Sequence, residues 1–196
     1  MARRPRGELK EMILDATDRL LFAAGDVQAV SIDAVVEAVD CTPPALYYYF
    51  PTKEILVLEA CRRQFERFAR ELEAALPETD DPLVELRGRG HAYLDWGVGH
   101  PEHYRVLFMT PYAAPRDDEV ADPTQASGLA ELIDNLARAV GAGLMRQNDP
   151  LEMALAFWST VHGITSLAIT NPSLPIELSH GVLEVTSDAV IGRYAP

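Results

Sequence analysis

Residues 31–50, SIDAVVEAVDCTPPALYYYF, constrain the fold more than any other stretch of this 196-residue chain. Ser31 stands at a helix N-cap, and Ile32, Val35, Val36 and Val39 then share one face of a short helix. After a tight turn at Val39–Cys41, Thr42 caps a second helix with Pro43 at its first position, where the missing N–H is harmless. Leu46 and Phe50 are expected to point back onto Ile13, Leu20, Val35 and Val36, closing a three-helix head of about fifty residues. Pro43, Pro44 and Tyr47 then remain outside.

The rest of the chain reads as helix too, with no sustained alternation to argue for a sheet. An apolar stripe of Ile13, Ala16, Leu20 and Ala24 ends at Gly25, and Thr52 caps a long helix that stops at Pro77. Asp81-Pro82, Pro101, Asp149-Pro150 and Pro175 open further helices, Leu129–Leu144 carries another, and PYAAPRDDEVADPTQ (111–125) reads as a loop. The expected fold is all-α: a head over 1–54, joined by the long helix to a helical body over 55–196. Charge divides along the same line. The net charge is −13, yet the first ten residues hold Arg3, Arg4, Arg6 and Lys10 against Glu8, whereas 54–196 hold 11 basic and 22 acidic side chains. A polyanion is attracted to one end of such a molecule and repelled by the remainder.

A helix-turn-helix lays its second helix in the major groove of DNA. The run from Ile13 through Leu58 resembles the DNA-binding domain of the TetR family: a helix ending at Ala-Gly, a capped Ser-Ile helix, a turn, then Leu46, Tyr47, Tyr48, Tyr49, Phe50, Lys53 and Glu54 in the order Leu-Tyr-Tyr-x-Phe-x-x-Lys-Glu. The resemblance implies that Tyr47 and Lys53 contact phosphates, that Tyr49 does so through its hydroxyl where relatives often have His, and that Thr42 offers its backbone N–H or hydroxyl. Tyr48, on a different face, reads as a packing residue. Asp40 replaces the usual turn glycine, which predicts a left-handed or cap-like backbone. Pro43, Pro44 and Ala45 occupy base-reading positions without a side-chain donor, so bidentate recognition of a purine is excluded there. Specificity is expected to rest on thymine methyls and DNA shape. Arg3, Arg4 and Arg6 are candidates for a minor-groove or phosphate-grazing arm, against the alternative of a solubilising tail.

In the body, HPEHYRVLF (100–108) and FWSTVHGITSL (157–167) resemble a WHG-type TetR regulatory domain, named for Trp158, His162 and Gly163. Trp158 and His162 are i and i+4, hence on one face. They are candidates for an inducer pocket with Tyr93, Trp96, Tyr104 and Phe108, although a lone His on an apolar face is more often structural. Helices 149–171 and 175–193 are expected to form a homodimer seam through Leu151, Leu155, Trp158, Val161, Thr165 and Leu183. The resulting expectation is a repressor on a double-stranded DNA operator, released by a small apolar or amphipathic inducer and working without a cofactor.

Other readings are an activator, a ligand-independent regulator, an adaptor that has lost DNA binding, and a metal site, catalytic or else structural or sensory, using His91, His100 and His103 with Asp95 and Glu102. The last lacks a third ligand at a fixed helical offset, and no Ser/His/Asp set or phosphate loop accompanies it, so neither a metal nor a catalytic residue is assigned. Cys41 and Cys61 form no C-x-x-C pair and read as buried thiols of a reducing compartment. No uninterrupted apolar run reaches the length of a membrane span, and MARRPRGELKE leads into no signal-peptide core, which points to the cytoplasm.

Overall fold

The computed structural model describes residues 7–27, 30–110 and 128–196, and among these every regular element is a helix. They are α1 (Glu8–Ala24), α2 (Ile32–Val39), α3 (Pro43–Tyr49), α4 (Lys53–Ala74), α5 (Pro82–Gly99), α6 (Pro101–Met109), α7 (Leu129–Gly141), α8 (Pro150–Thr170) and α9 (Ile176–Arg193). The expected loop at 111–125 lies outside the described residues, as do Arg3, Arg4 and Arg6.

Local chemistry explains most boundaries. Gly25, at φ 64°, closes α1 with its N–H on the Leu21 carbonyl. Asp40 closes α2 at φ 50°, ψ 59°, the left-handed conformation anticipated for it. The Thr52 hydroxyl accepts from Ile55 N–H at 3.2 Å. Asp81 and Asp149 accept from the second helical N–H of α5 and α8, each with proline at the first position. Ser31 and Thr42 sit at the N-cap positions assigned to them, but neither side chain makes a capping bond.

The chain divides into two compact units, and the division differs from a boundary at residue 54: the first unit runs through Arg67 and resumes at Glu102, and the second comprises Phe68–Pro101 and the described residues from Gly128. In the first unit α1, α2 and α3 pack around Ile13, Leu14, Leu21, Val35, Val36, Leu46 and Phe50. Leu21 and Leu14, rather than Leu20 and Ala24, face this core: Leu20 is half-buried and Ala24 exposed. In α6, Tyr104 is buried, and Phe108 meets the Phe65 ring edge-on at 5.4 Å.

In the second unit α8 packs on α5, α7 and α9. Val161, Thr165 and Leu183 are buried inside it, which removes them from the expected seam, whereas Leu151 and Leu155 stay exposed. By length and composition α8 meets the requirement for a membrane span, although its buried residues are used against its three neighbours. Cys61 is buried and Cys41 is half-exposed, a departure from the reading of both as interior; neither is part of a disulfide.

Candidate nucleic-acid interface and ligand cavity

Helix α3 has two unlike sides. Leu46 and Phe50 are 0% and 2% exposed, while Thr42, Pro43, Pro44, Tyr47 and Tyr48 face outward. Ala45, Tyr49 and Lys53 are half-buried. Tyr48 is the most open of the three tyrosines at 74%, against 42% for Tyr47, so its reading as a packing residue is overturned. Its ring meets Tyr49 edge-on at 5.1 Å, which steadies both phenols on the outward side. The helix carries no charged side chain; nearby cations come from Lys53 and from Lys10, whose ammonium lies 5.8 Å from the centre of the Phe50 ring. Farther along α4, Arg62 is held by Glu59 and Glu66, and Arg63 by Asp15 at 2.7 Å. Those arginines are tied into the unit's own ion pairs.

The second unit holds a cavity of about 60 Å³ lined by residues of α4, α5, α7 and α8: Leu72, Gly90, Tyr93, Leu132, Phe157 and Val161 form its apolar walls, and Arg89 and Trp158 its polar edge. Tyr93 and Trp158 are thus the members of the expected pocket set that reach it. His162 stands behind the wall, sharing a hydrogen bond with the Tyr93 hydroxyl at 3.1 Å, and burial holds its imidazole below the ordinary value. Trp96 packs on Phe68 and donates its indole N–H to Glu71 at 2.8 Å. Tyr104 is buried in the first unit, and Phe108, half-buried, packs on it and on Phe65.

Arg89 is the residue that sequence reasoning missed. It is 8% exposed, donating through Nε and Nη2 to Glu85 and lying 3.0 Å from Glu73. Arg138 reaches the other Glu85 oxygen at 2.6 Å. Against the cost of burial, hydrogen bonds from Arg138 and Arg89 hold the Glu85 carboxyl below its ordinary value. An arginine four residues after a glutamate inside an apolar helix was the available signal. A methyl group at Gly90 would sit 3.4–3.6 Å from Phe157, Val161 and Leu183, ordinary contact distances. Gly90→Ala is therefore expected to raise thermal stability by up to about 1 kcal/mol through helix propensity while narrowing the cavity. A melting curve checks the first effect, and a lower melting temperature would refute it.

The histidines grouped by sequence separate in space. His91 pairs with His180 at 2.7 Å, His180 continues to Asp95 at 2.8 Å, His100 stacks on Trp96, and His103 stacks on Phe22. Among the described residues no group of three such side chains is placed to hold a metal ion.

Comparison with known proteins is consistent with this geometry. Residues 13–60 match the profile of bacterial regulatory proteins of the tetR family, and residues 86–183 match a tetracyclin repressor-like C-terminal domain. The HTH-type transcriptional activator FasR of Mycolicibacterium smegmatis is 26% identical over 110 residues, 56% of this chain and 50% of that protein. The HTH-type transcriptional repressor KstR of Rhodococcus jostii is 43% identical over 60 residues, 31% of this chain and 28% of its own length. The chain thus spans half or less of these curated relatives. A solved structure of a protein with unknown function from Rhodococcus sp. RHA1 covers 99% of this chain and 100% of its own, with TM-score 0.79 and 21% identity, a likeness that speaks to fold alone.

Proposed function

Because the chain belongs to the TetR family of transcriptional regulators, we propose that it is a DNA-binding repressor that works as a homodimer and leaves its operator when a small molecule enters the cavity of the second unit. The observation that carries this reading is the two-sidedness of α3, whose outward residues (Thr42, Pro43, Pro44, Tyr47 and Tyr48) are bare while Leu46 and Phe50 anchor it. In the groove, Tyr47, Tyr49 and Lys53 take phosphates, and the Thr42 hydroxyl, unused as a cap, is available to another. Tyr48, Pro43, Pro44 and Ala45 supply apolar contact to bases, with Arg3, Arg4 and Arg6 as an N-terminal arm. A DNA target places the protein's action in the cytoplasm.

Release needs an effector that prefers the non-binding geometry. One helix, α4, carries Lys53 at its start and Leu72 of the cavity wall near its end, so a ligand that displaces Leu72 acts on the same rod that holds Lys53. The test is a mobility-shift series on duplexes from the gene's own upstream region. Lys53→Ala should weaken binding on every sequence and lower the slope of log affinity against log salt by about one. Unchanged affinity removes Lys53 from the interface. Binding upstream of a promoter with increased transcription overturns repression, and no binding to any duplex at low salt overturns the whole reading.

A further inference from the structure

We propose that the cavity of the second unit recognises an uncharged, mainly apolar molecule through a hydrogen-bond acceptor, such as a ketone or aldehyde oxygen, and rejects the corresponding carboxylate. The inference rests on the reading of that cavity as the effector site and adds the chemistry of what enters it.

Two features of the lining point this way. The first is an excess of donors. The Arg89 side chain is 9% exposed, with Nε and Nη2 committed to Glu85 and Glu73, and its Nη1 has no acceptor among the described residues. The indole N–H of Trp158, which can only donate, likewise has none, while the Tyr93 hydroxyl is already engaged with His162. The remaining walls are leucine, valine, phenylalanine and glycine. Solvent reaches both donors, since neither is among the buried atoms without a partner; a molecule with an oxygen acceptor replaces the water it displaces from them, whereas a plain hydrocarbon does not.

The second feature is charge. Arg89 and Arg138 already face Glu85 and Glu73, two cations against two anions. An incoming carboxylate would bring a further negative charge into a mostly apolar enclosure beside those two glutamates, with no cation left to match it. A carbonyl oxygen takes the same N–H groups without that penalty. Size sets the scale: with about 10–15 Å³ needed per water on the same measure, a cavity of about 60 Å³ admits one small ring once Leu72 or Leu129 changes rotamer.

The experiment uses the full chain, cyclohexanone and cyclohexanecarboxylate as probes that share a six-membered carbon ring, and saturation-transfer difference spectra for affinities. The two tryptophan indole signals report location, because the Trp96 N–H is held by Glu71 whereas that of Trp158 is open. We expect cyclohexanone to shift the Trp158 signal, leave Trp96 in place, and bind at least about tenfold more tightly than the carboxylate at neutral pH. Arg89→Met, which leaves Glu85 paired with Arg138, should weaken cyclohexanone by about tenfold, and Trp158→Phe by about threefold. A carboxylate that binds as well as the ketone, or ketone binding that ignores both substitutions, overturns the acceptor proposal and leaves the cavity as an effector site. If neither probe binds, both fall together.

Discussion

Replacing Leu167 or Val182 by Glu should turn the protein into a monomer at micromolar concentration and lower operator affinity by about 100-fold or more. The expectation starts from what α8 and α9 leave uncovered. Leu151, Leu155 and Leu167 of α8 are 49%, 40% and 54% exposed, and Leu178, Val182 and Val185 of α9 are 52%, 39% and 71% exposed. So many large aliphatic side chains on two helices that pack together are unusual for a lone soluble unit. Gly163 and Gly181 stand on the same helices with nothing within 4 Å of an added Cβ. Glycine inside a helix costs about 1 kcal/mol relative to alanine, a cost that close approach of another helix explains. In the proposed homodimer a four-helix seam with a second copy would cover these residues, and a glutamate buried there without a cation would cost several kcal/mol. Sedimentation equilibrium reads the outcome, with Val84→Glu on α5, also at an exposed valine, as the control. A Leu167→Glu protein that remains dimeric would place the seam elsewhere.

The two helices of that proposed seam illustrate what local pattern reveals and what it hides. Helix ends were legible because their causes lie within a few residues: Asp81 and Asp149 accept the N–H groups just ahead of them, and Gly25 and Asp40 adopt left-handed conformations where the chain must turn. Which side of α8 or α9 faces inward was harder, because Val161, Thr165 and Leu183 are as apolar or as small as the residues left outside. Only packing against α5 and α7 sorts them. Tyr48 could have been placed from geometry alone. At about 100° per residue it lies about 200° around the helix from both Leu46 and Phe50, opposite the anchored side. Judging it by its neighbour in sequence concealed this.

The cavity was least legible. Its lining comes from four helices, and nothing in a single stretch records that Leu72, Arg89, Leu132 and Phe157 converge. Selecting aromatic residues by type picked out Tyr93 and Trp158 but also Tyr104 and Phe108, which pack within the other unit. Arg89 was invisible to that selection, since a buried arginine depends on partners such as Glu73, 16 residues away along the chain, and its Glu85 is shared with Arg138, 53 residues beyond that glutamate.

The other large effect concerns Asp18, on α1 in the first unit. Burial pushes its carboxyl up to about 6, against the opposing hydrogen bond from Gln64 and the charge of Arg63. The Gln64 amide donates to one Asp18 oxygen at 2.8 Å, and the other oxygen is buried without a partner. Between pH 4 and 6 the folded unit therefore keeps a proton that the unfolded chain has released. The contribution of Asp18 to stability is greatest below about 4 and falls as pH rises through about 6, by roughly 2 kcal/mol after allowance for the carboxyl's remaining contact with water. Asp18→Asn removes the ionisation while keeping a group that accepts from Gln64. At pH 7.5 it should raise the unfolding free energy of this unit by about 1–2 kcal/mol, less whatever the Arg63 attraction contributed, and it should flatten the decline between pH 4 and 6. Denaturant titrations of both proteins across that range provide the measurement, because carboxyls shifted the other way, such as Glu59, are common to both and cancel in the difference. A parallel pair of curves, with no change in slope between pH 4 and 6, would show that Asp18 ionises in the folded unit as freely as in water.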